Sequence, residues 1–370
     1  MDRVLSKAKK TPLYERHVSL DGTMVSFGGY LLPTYYSSIV QEHHSIRRNA
    51  GLFDVSHMGE FYLSGPDAES FLQKMTVNDV ADLHQGQAQY SAMCYENGGI
   101  VDDLLIYKKK NGYMLVVNAS NRNKDFQWLD SHLESNVQLK DQSEETALVA
   151  IQGPRSREIL QQIIDSDLSD LAFYHFIENG KAAGKSAVIA RTGYTGELGY
   201  EIYATPDAIL PIWDALMKVG EKPGIVPAGL ACRDTLRMEM KYALYGNDID
   251  ENTNPIEAGL GWIIKPDKGD FIGRYAILKK KEKPDRKLVC FEMMERAIPR
   301  YDFKILKNDN EIGSVTSGTM SPSLEKGIGL GYVAIPHHTP GTEIMIDIRG
   351  RKKAAVIVKP PFYKSGTAIG

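Results

Sequence analysis

The sequence predicts an α+β protein of three units, the last of which is a small all-β barrel or sandwich. The chain has 370 residues, which is long for a single hydrophobic core. Helical and strand-like patterns alternate through most of it, but after residues 279–287 only short β-like runs with Gly and Pro turns follow. The charged, proline-bearing segment 279–287 is predicted to be a linker.

The first elements predicted in detail are two helices. Residues 37–50 carry apolar side chains at helical spacing, and Gly51 follows as a stop signal. A second helix is predicted to open at Pro66, because proline suits the first turn of a helix.

The pattern then becomes strand-like. Residues 90–95, 100–107 and 113–118 are typical of antiparallel strands joined by short turns. Ser120 is predicted to cap the helix that follows. Helices beside an antiparallel sheet indicate an α+β unit, and a similar alternation continues over residues 147–217.

Composition excludes several classes of protein. Hydrophobic residues make up 42% and charged residues 25% of the chain, as in soluble globular proteins. A net charge of -3 argues against a general nucleic-acid binder. No window approaches the roughly 18 apolar residues of a membrane span, and residues 1–10 lack a secretory signal. The three cysteines have no metal or disulfide spacing and fit a reducing compartment, so a cytoplasmic location is predicted.

Residues 97–105, NGGIVDDLL, contain two adjacent acids, Asp102 and Asp103, in an otherwise apolar strand. Neighbouring strand residues face opposite sides, so one carboxylate can point toward a cavity. In a partly desolvated cleft it could orient or deprotonate an amine. The alternative is an ordinary strand start beside a turn.

Two further segments are candidate binding elements. Residues 191–201 combine three glycines with tyrosines and glutamates, which suits close approach to a ligand or an irregular, aromatic-packed loop. In residues 229–239, Arg233 and Arg237 share a helical face, with Asp234 and Glu239 as possible partners. This arrangement suits either solvated salt bridges or recognition of a carboxylate. The histidines lack metal-type spacing, so no metal site is predicted.

Seven blocks, taken together and in this order, closely resemble the glycine cleavage T-protein family. They are spread over nearly the whole chain and are TPLYERH (11–17), GLFDVSHMGE (51–60), NGGIVDDLLIY (97–107), ARTGYTGELGYEIY (190–203), PAGLACRDTLRMEM (227–240), YALYGNDIDENTNPIEAGLGW (242–262) and IGSVTSGTMSPSLEKGIGLGYV (312–333).

The resemblance implies a three-domain cloverleaf around a central channel. Its first domain would be discontinuous, comprising residues 1–50 and 139–278. An α+β domain, residues 51–138, would be inserted into it. Residues 287–370 would form a jelly-roll-like C-terminal β-barrel.

The resemblance also implies an aminomethyltransferase that uses tetrahydrofolate and an aminomethyl group carried on the lipoyl arm of H-protein, with no metal and no flavin. It assigns catalysis to Asp102, which would hold the pterin nitrogens while the folate amine attacks, so Asp102→Asn is expected to be more damaging than Asp103→Asn. The implied folate-binding residues are Tyr90, Asn118, Tyr194, Glu201, Arg233 and Tyr242.

Some assignments stay open at this point. Arg233 could form a salt bridge within the cleft instead of contacting folate. Arg300 matches a family arginine only approximately, and the tail YKSGTAIG has no assigned folate contact.

Three alternative functions compete with this assignment. One is a folate-binding relative without transferase activity, of the iron–sulfur assembly type. Those proteins contain a KGCYxGQ block, whereas residues 268–274 here are KGDFIGR and contain no cysteine. Another is the folate domain of a sarcosine-type oxidising enzyme, which the lack of GxGxxG argues against. The last is a scaffold that binds folate or a lipoyl partner without chemistry.

Overall fold

A computed structural model of the chain describes residues 8–368 and contains strands in several separate sheets. In chain order the strands are β1 (Lys9–Lys10), β2 (Met24–Phe27), β3 (Tyr30–Pro33), β4 (Ala50–Asp54), β5 (Gly59–Ser64), β6 (Ala88–Cys94), β7 (Ile100–Lys109), β8 (Gly112–Val117), β9 (Gln138–Asp141), β10 (Ala147–Gln152), β11 (Phe176–Ala182), β12 (Lys185–Ala190), β13 (Gly199–Ala204), β14 (Ile225–Pro227), β15 (Arg286–Met293), β16 (Lys304–Lys307), β17 (Asn310–Ser321), β18 (Lys326–Ala334), β19 (Glu343–Ile348) and β20 (Arg351–Val358).

The helices cover the faces of these sheets. They are α1 (Tyr14–Ser19), α2 (Ile39–Arg48), α3 (Ala68–Met75), α4 (Arg122–Asp130), α5 (Ser156–Leu160), α6 (Pro206–Gly220), α7 (Leu230–Glu239) and α8 (Arg274–Glu282), with short 3-10 turns at Ala119–Asn121, Gly261–Ile263 and Pro266–Lys268. None of the helices in residues 8–368 is long and apolar enough to cross a membrane.

A six-stranded sheet with the order β11-β12-β13-β10-β4-β14 forms the first core. Every residue of β10 is buried, and α6 packs its apolar face, including Trp213, against this sheet. Strands β4 and β10 are direct antiparallel neighbours, with Val149 opposite Asp54. All of β5 to β9 lies between them in sequence, so the second sheet is inserted into the first.

The inserted sheet has five strands in the order β6-β7-β8-β5-β9. One face packs on α3 and α4 through residues such as Leu104 and Phe71. The other face packs toward the six-stranded sheet through residues such as Tyr107 and Val116. Both faces are therefore covered, and the side chains of β7 alternate between a helix layer and the junction between the two sheets.

The C-terminal strands β15 to β20 form a closed barrel. Strand β15 pairs with both β18 and β20, which leaves the sheet without a free edge. The predicted fold class, α+β with an inserted sheet and a C-terminal β-barrel, is confirmed.

Two local predictions are wrong. The predicted linker 279–287 is mostly regular structure, because α8 extends to Glu282 and β15 begins at Arg286. Lysines are good helix formers when their side chains reach solvent, so a charged run need not be a linker. Ser120 does not cap a helix, since it lies inside a 3-10 turn and α4 begins only at Arg122.

The domain boundaries stay predictions. Strand pairing places residues 50–54 in the six-stranded sheet and residues 138–141 in the five-stranded sheet.

Candidate functional site

The two adjacent aspartates of β7 face opposite sides of the five-stranded sheet. Asp102 shares its face with Leu104 and points toward α4, and it is 0% exposed. Its carboxylate accepts hydrogen bonds from Asn118 N–H (3.1 Å), Asn118 Nδ2 (2.9 Å) and Asn121 Nδ2 (2.7 Å). These three donors enclose Asp102 behind the sheet.

Asp103 lies on the other face, toward the junction with the six-stranded sheet, and keeps partial exposure. Tyr90 OH donates to its Oδ2 at 2.9 Å, and Asn118 Nδ2 donates to its Oδ1 at 2.9 Å. Burial, and then the charge of Asp102, raise the pKa of Asp103 to about 7. This carboxyl group can therefore exchange a proton near neutral pH.

The catalytic role of Asp102 stays a prediction, and its surroundings differ from those of Asp103. A fully enclosed carboxylate that already accepts three hydrogen bonds cannot reach a substrate without rearrangement of the sheet. Asp103 has the partial exposure that contact requires. Of the two carboxyl groups, only that of Asp103 is accessible from the junction between the sheets.

Glu201 brings a second carboxylate to the junction from the six-stranded sheet, where it is 8% exposed. Its Oε2 accepts hydrogen bonds from Thr192 Oγ1 (2.5 Å), Tyr203 OH (3.4 Å) and Tyr107 OH (3.5 Å). Within residues 8–368 no donor reaches Oε1. Glu201 thus has one oxygen held by hydroxyl groups and one oxygen free to accept from a ligand.

Tyr194, Arg233 and Tyr242 form a third cluster beside the barrel. The rings of Tyr194 and Tyr242 stack with centroids 5.6 Å apart, and the Arg233 guanidinium lies 4.6 Å from the Tyr194 ring centroid. Tyr194 OH donates to the carbonyl of Ala243. The loop can place Tyr194 here because Gly196 has φ +81 and a Cβ at that position would lie 2.4 Å from Met240 Sδ.

The two arginines of α7 have different surroundings. Arg237 pairs with Asp234 (2.8 Å) and Asp248 (2.5 Å), so its charge is neutralised inside the protein. Arg233 has no carboxylate within ion-pair distance in the part of the chain that the structure describes. The alternative of an internal salt bridge therefore applies to Arg237, and Arg233 keeps a guanidinium for an incoming anion.

A cleft of ≈ 310 Å³ opens beside Arg233, between α7 and the barrel strand β17. It is lined by Phe27, Tyr194, Leu230, Arg233, Asp234, Arg237, Leu244, Asn247, Arg300, Tyr301, Thr316, Ser317 and Gly318. Arg300, left unassigned by the sequence analysis, is an exposed residue of this cleft.

The C-terminal tail lies on the glycine-rich loop that carries Tyr194. Thr367 Oγ1 donates to Glu197 Oε2 at 2.6 Å, and the N–H of Leu198 donates to Thr367 Oγ1 at 2.9 Å. Ala368 N–H donates to the carbonyl of Gly196 at 3.1 Å. The tail therefore supports the loop from outside.

Sequence reasoning missed several residues of the site. Tyr107 lies four residues after Asp103 on the same strand, so period-two alternation could have placed both on one face. Trp262 stacks on Tyr90 with centroids 5.9 Å apart. His57 lies beside Phe27, and burial, then Arg233, lower its pKa to about 4, which keeps the ring neutral. The contacts of Trp262 and His57 have no local sequence signal.

The described residues offer no evident metal site. Within residues 8–368 no group of three or more His, Cys, Asp or Glu side chains is arranged to hold a metal ion. Cys94, Cys232 and Cys290 are each free and buried. The chemistry available at the junction is that of carboxylates, hydroxyl groups, aromatic rings and one guanidinium.

Comparison with known proteins gives full-length matches. Residues 13–268 match the family model of the GCVT N-terminal domain, and residues 286–364 match that of the glycine cleavage T-protein C-terminal barrel domain. An aminomethyltransferase of Halothermothrix orenii is 49% identical over 356 residues, which is 96% of this chain and 99% of that protein. An aminomethyltransferase of Bacteroides fragilis is 49% identical over 360 residues, covering 96% of this chain and 100% of that protein.

A solved structure agrees with these relatives. The crystal structure of glycine cleavage system aminomethyltransferase T from Bartonella henselae superimposes with a TM-score of 0.91 at 33% sequence identity, covering 97% of this chain and 99% of that chain.

Proposed function

From the premise that the chain belongs to the glycine cleavage T-protein family and is an aminomethyltransferase, we propose that it transfers a one-carbon unit from lipoylated H-protein to tetrahydrofolate. In this proposal Asp103 is the carboxylate that contacts the acceptor. The observation that carries the proposal is the partly exposed Asp103 carboxyl group, which Tyr90 and Asn118 hold by hydrogen bonds. We place the reaction in the cytoplasm, where free cysteines such as those of this chain stay reduced.

Two amine nitrogens of tetrahydrofolate form bonds to the transferred carbon. The bonds from this carbon to its amino nitrogen and to the lipoyl sulfur break. The two protons lost from the folate nitrogens end on the released ammonia and on the lipoyl thiol. Asp103 is placed to take a proton from an amine and return it to a leaving group, because its pKa lies near the working pH. Tyr90 and Asn118 hold the carboxylate in one orientation during this exchange.

The residues around Asp103 fit a folate in shape and charge. Tyr90 and Tyr194, which are partly exposed, supply flat faces for a ring system. The free oxygen of Glu201 suits the N–H donors at the edge of an aminopyrimidine. Arg233, which lacks a carboxylate partner in the described chain, suits the glutamate end.

Glu201→Gln should weaken binding of tetrahydrofolate by about 10- to 100-fold. The amide keeps the shape of the side chain but loses the charge and presents an NH₂ group where the ligand needs an acceptor. Isothermal titration calorimetry with tetrahydrofolate would measure the change. Glu178→Gln on β11 is a suitable control, because Glu178 lies near the surface and contacts Lys110 instead of the site. Equal affinity of Glu201→Gln and the unmodified protein would remove Glu201 from the site.

Purified protein should release ammonia from aminomethylated H-protein only when tetrahydrofolate is present. The measurement follows ammonia with and without protein, and with and without the folate, at fixed H-protein concentration. Binding of folate without faster ammonia release would support a non-transferring folate binder and would end the transfer proposal. Release that does not require the folate would show that the acceptor is misidentified.

A further inference from the structure

Asp125 is a buried acid that the proposed reaction does not yet use. It lies on α4, directly behind the strand that carries the two aspartates, and is 0% exposed. No N–H or O–H donor in residues 8–368 reaches either of its carboxyl oxygens. An ionised carboxylate without any donor is very costly inside a protein, so a proton on Asp125 is the favourable state.

The neighbour of Asp125 is Asp102, which is likewise 0% exposed; burial raises the pKa of Asp102, and a hydrogen bond from Asp125 opposes that rise. Two carboxyl groups can form such a bond only if one of them carries the proton. Asp102 accepts three N–H donors from Asn118 and Asn121, while Asp125 accepts none. The anion is therefore Asp102, and the acid that donates to it is Asp125.

The pair is connected to the substrate-facing carboxylate through one amide group. Asn118 Nδ2 lies 2.9 Å from Asp102 Oδ1 and 2.9 Å from Asp103 Oδ1. A change in the charge of Asp102 would alter both the orientation of Asn118 and the field at Asp103. Asp125, Asp102, Asn118 and Asp103 thus form one chain of hydrogen bonds from α4 to the site.

We propose that Asp125 is a positioning residue for Asp103: in the native protein it keeps its proton and donates a hydrogen bond to Asp102, so that Asp102 remains an anion that orients Asn118 and holds a fixed charge near Asp103. This inference rests on the proposed role of Asp103 in transfer. Asp125 itself does not contact the substrate.

The surroundings of Asp125 agree with this protonation state. Burial, and then the charge of Asp102, raise its pKa to about 11. Lys124, the nearest cation, directs its ammonium instead to the carbonyl of Val101 and to Tyr245 OH. The titratable groups that face Asp125 are Asp102 and Asp103 on β7, Lys124 on its own helix, and the more distant Tyr95 and Tyr245.

Two substitutions of Asp125 distinguish the effect of its hydrogen-bond donor from the effect of its side-chain volume. Asp125→Leu fills the space but cannot donate, so it should lower kcat by about 10- to 100-fold and move the acidic limb of the kcat–pH profile to lower pH. Asp125→Asn keeps an N–H donor toward Asp102 and should restore most of that loss. Asp130→Leu, at an exposed position of the same helix, controls for leucine in α4. Equal kcat and equal profiles for the Leu and Asn variants would overturn the proposal.

Thermal unfolding at several pH values tests the proton without any activity. An aspartate in the unfolded chain has a pKa of about 3.9, so above that pH the protein must take up a proton at Asp125 when it folds. Its stability should therefore fall as pH rises, and Asp125→Asn should lack this loss. The Tm of Asp125→Asn minus that of the unmodified protein should grow between pH 5 and pH 8. A constant difference would mean that native Asp125 is ionised and would refute this proposal. The result does not depend on the ammonia-release assay, so it separates failure of this proposal from failure of the proposed function.

Discussion

Asp103→Asn should lower kcat by about two to four orders of magnitude and leave the unfolding temperature close to that of the unmodified protein. Asparagine keeps the hydrogen-bonding length of the side chain but cannot accept and return a proton. Tyr90 and Asn118 can still contact it, so the local fold is retained. Single-turnover ammonia release, together with thermal unfolding, would measure both effects.

The pH dependence of kcat provides a further readout of Asp103. The ionised form accepts the proton, and the pKa of Asp103 is about 7, so kcat should rise with pH through neutrality. Asp103→Asn should lose this rise along with the rate.

Asp102→Asn is the matched comparison, because Asp102 lies next to Asp103 on the opposite face. Its amide would direct an NH₂ group toward the donors of Asn118 and Asn121, which should cost about 1–3 kcal/mol of unfolding free energy. We expect its kcat to fall less than that of Asp103→Asn. A folded Asp102→Asn protein with the larger loss of kcat would restore the assignment made from the sequence.

Arg47→Met should lower the free energy of unfolding by about 3–5 kcal/mol. The side chain of Arg47 is 4% exposed and lies 2.8 Å from Glu197 and 2.7 Å from Glu239. Methionine would fill most of the space but would leave two buried carboxylates without their cation. Urea unfolding at pH 7 would measure the change.

Arg48→Met is the control for this prediction, since Arg48 is exposed on the same helix and should change stability by no more than about 0.5 kcal/mol. Burial raises the pKa of Glu239, but contacts with His43 and then Arg47 outweigh it and lower the pKa to about 2. Because a lowered acid pKa adds stability above the unfolded value of about 4.3, the cost of Arg47→Met should shrink as pH falls below 4. Equal stability of both variants at pH 7 would contradict the role of Arg47.

Much of the architecture could be predicted from the residues. The turns and β-branched runs of residues 90–118 predicted adjacent antiparallel strands, which are β6, β7 and β8. The short β-like runs after residue 287 predicted a small barrel or sandwich, and the structure has a closed barrel. Both predictions depend on local patterns, which the surrounding structure did not override.

The direction of the two aspartates could not be predicted in this way. Alternation places Asp102 and Asp103 on opposite faces, but it does not say which face borders the site when both faces are covered. A register shift between Met93 and Cys94 also disturbs the pairing beside them. Only tertiary packing distinguishes the enclosed acid from the partly exposed one.

Local reasoning predicted only part of the ionic contacts of α7. Helical spacing offered Asp234 and Glu239 as partners for the arginines of this helix. In the structure Arg237 does pair with Asp234, but it also pairs with Asp248 outside the helix. Glu239 pairs instead with Arg47, which lies on α2 far away in sequence. Side chains of a buried helix find partners across the core, and the choice of partner depends on the whole fold.

The neighbouring positions of β4 and β10 have a consequence for how the chain is synthesised. When Ala50–Asp54 leaves the ribosome, both of its pairing partners, Ala147–Gln152 and Ile225–Pro227, are still unmade. The intervening segment can fold first into its own sheet, and in doing so it brings its two ends together and lowers the entropic cost of closing the long loop. Folding of the inserted unit can thus bring β4 and β10 close together before the rest of the six-stranded sheet assembles.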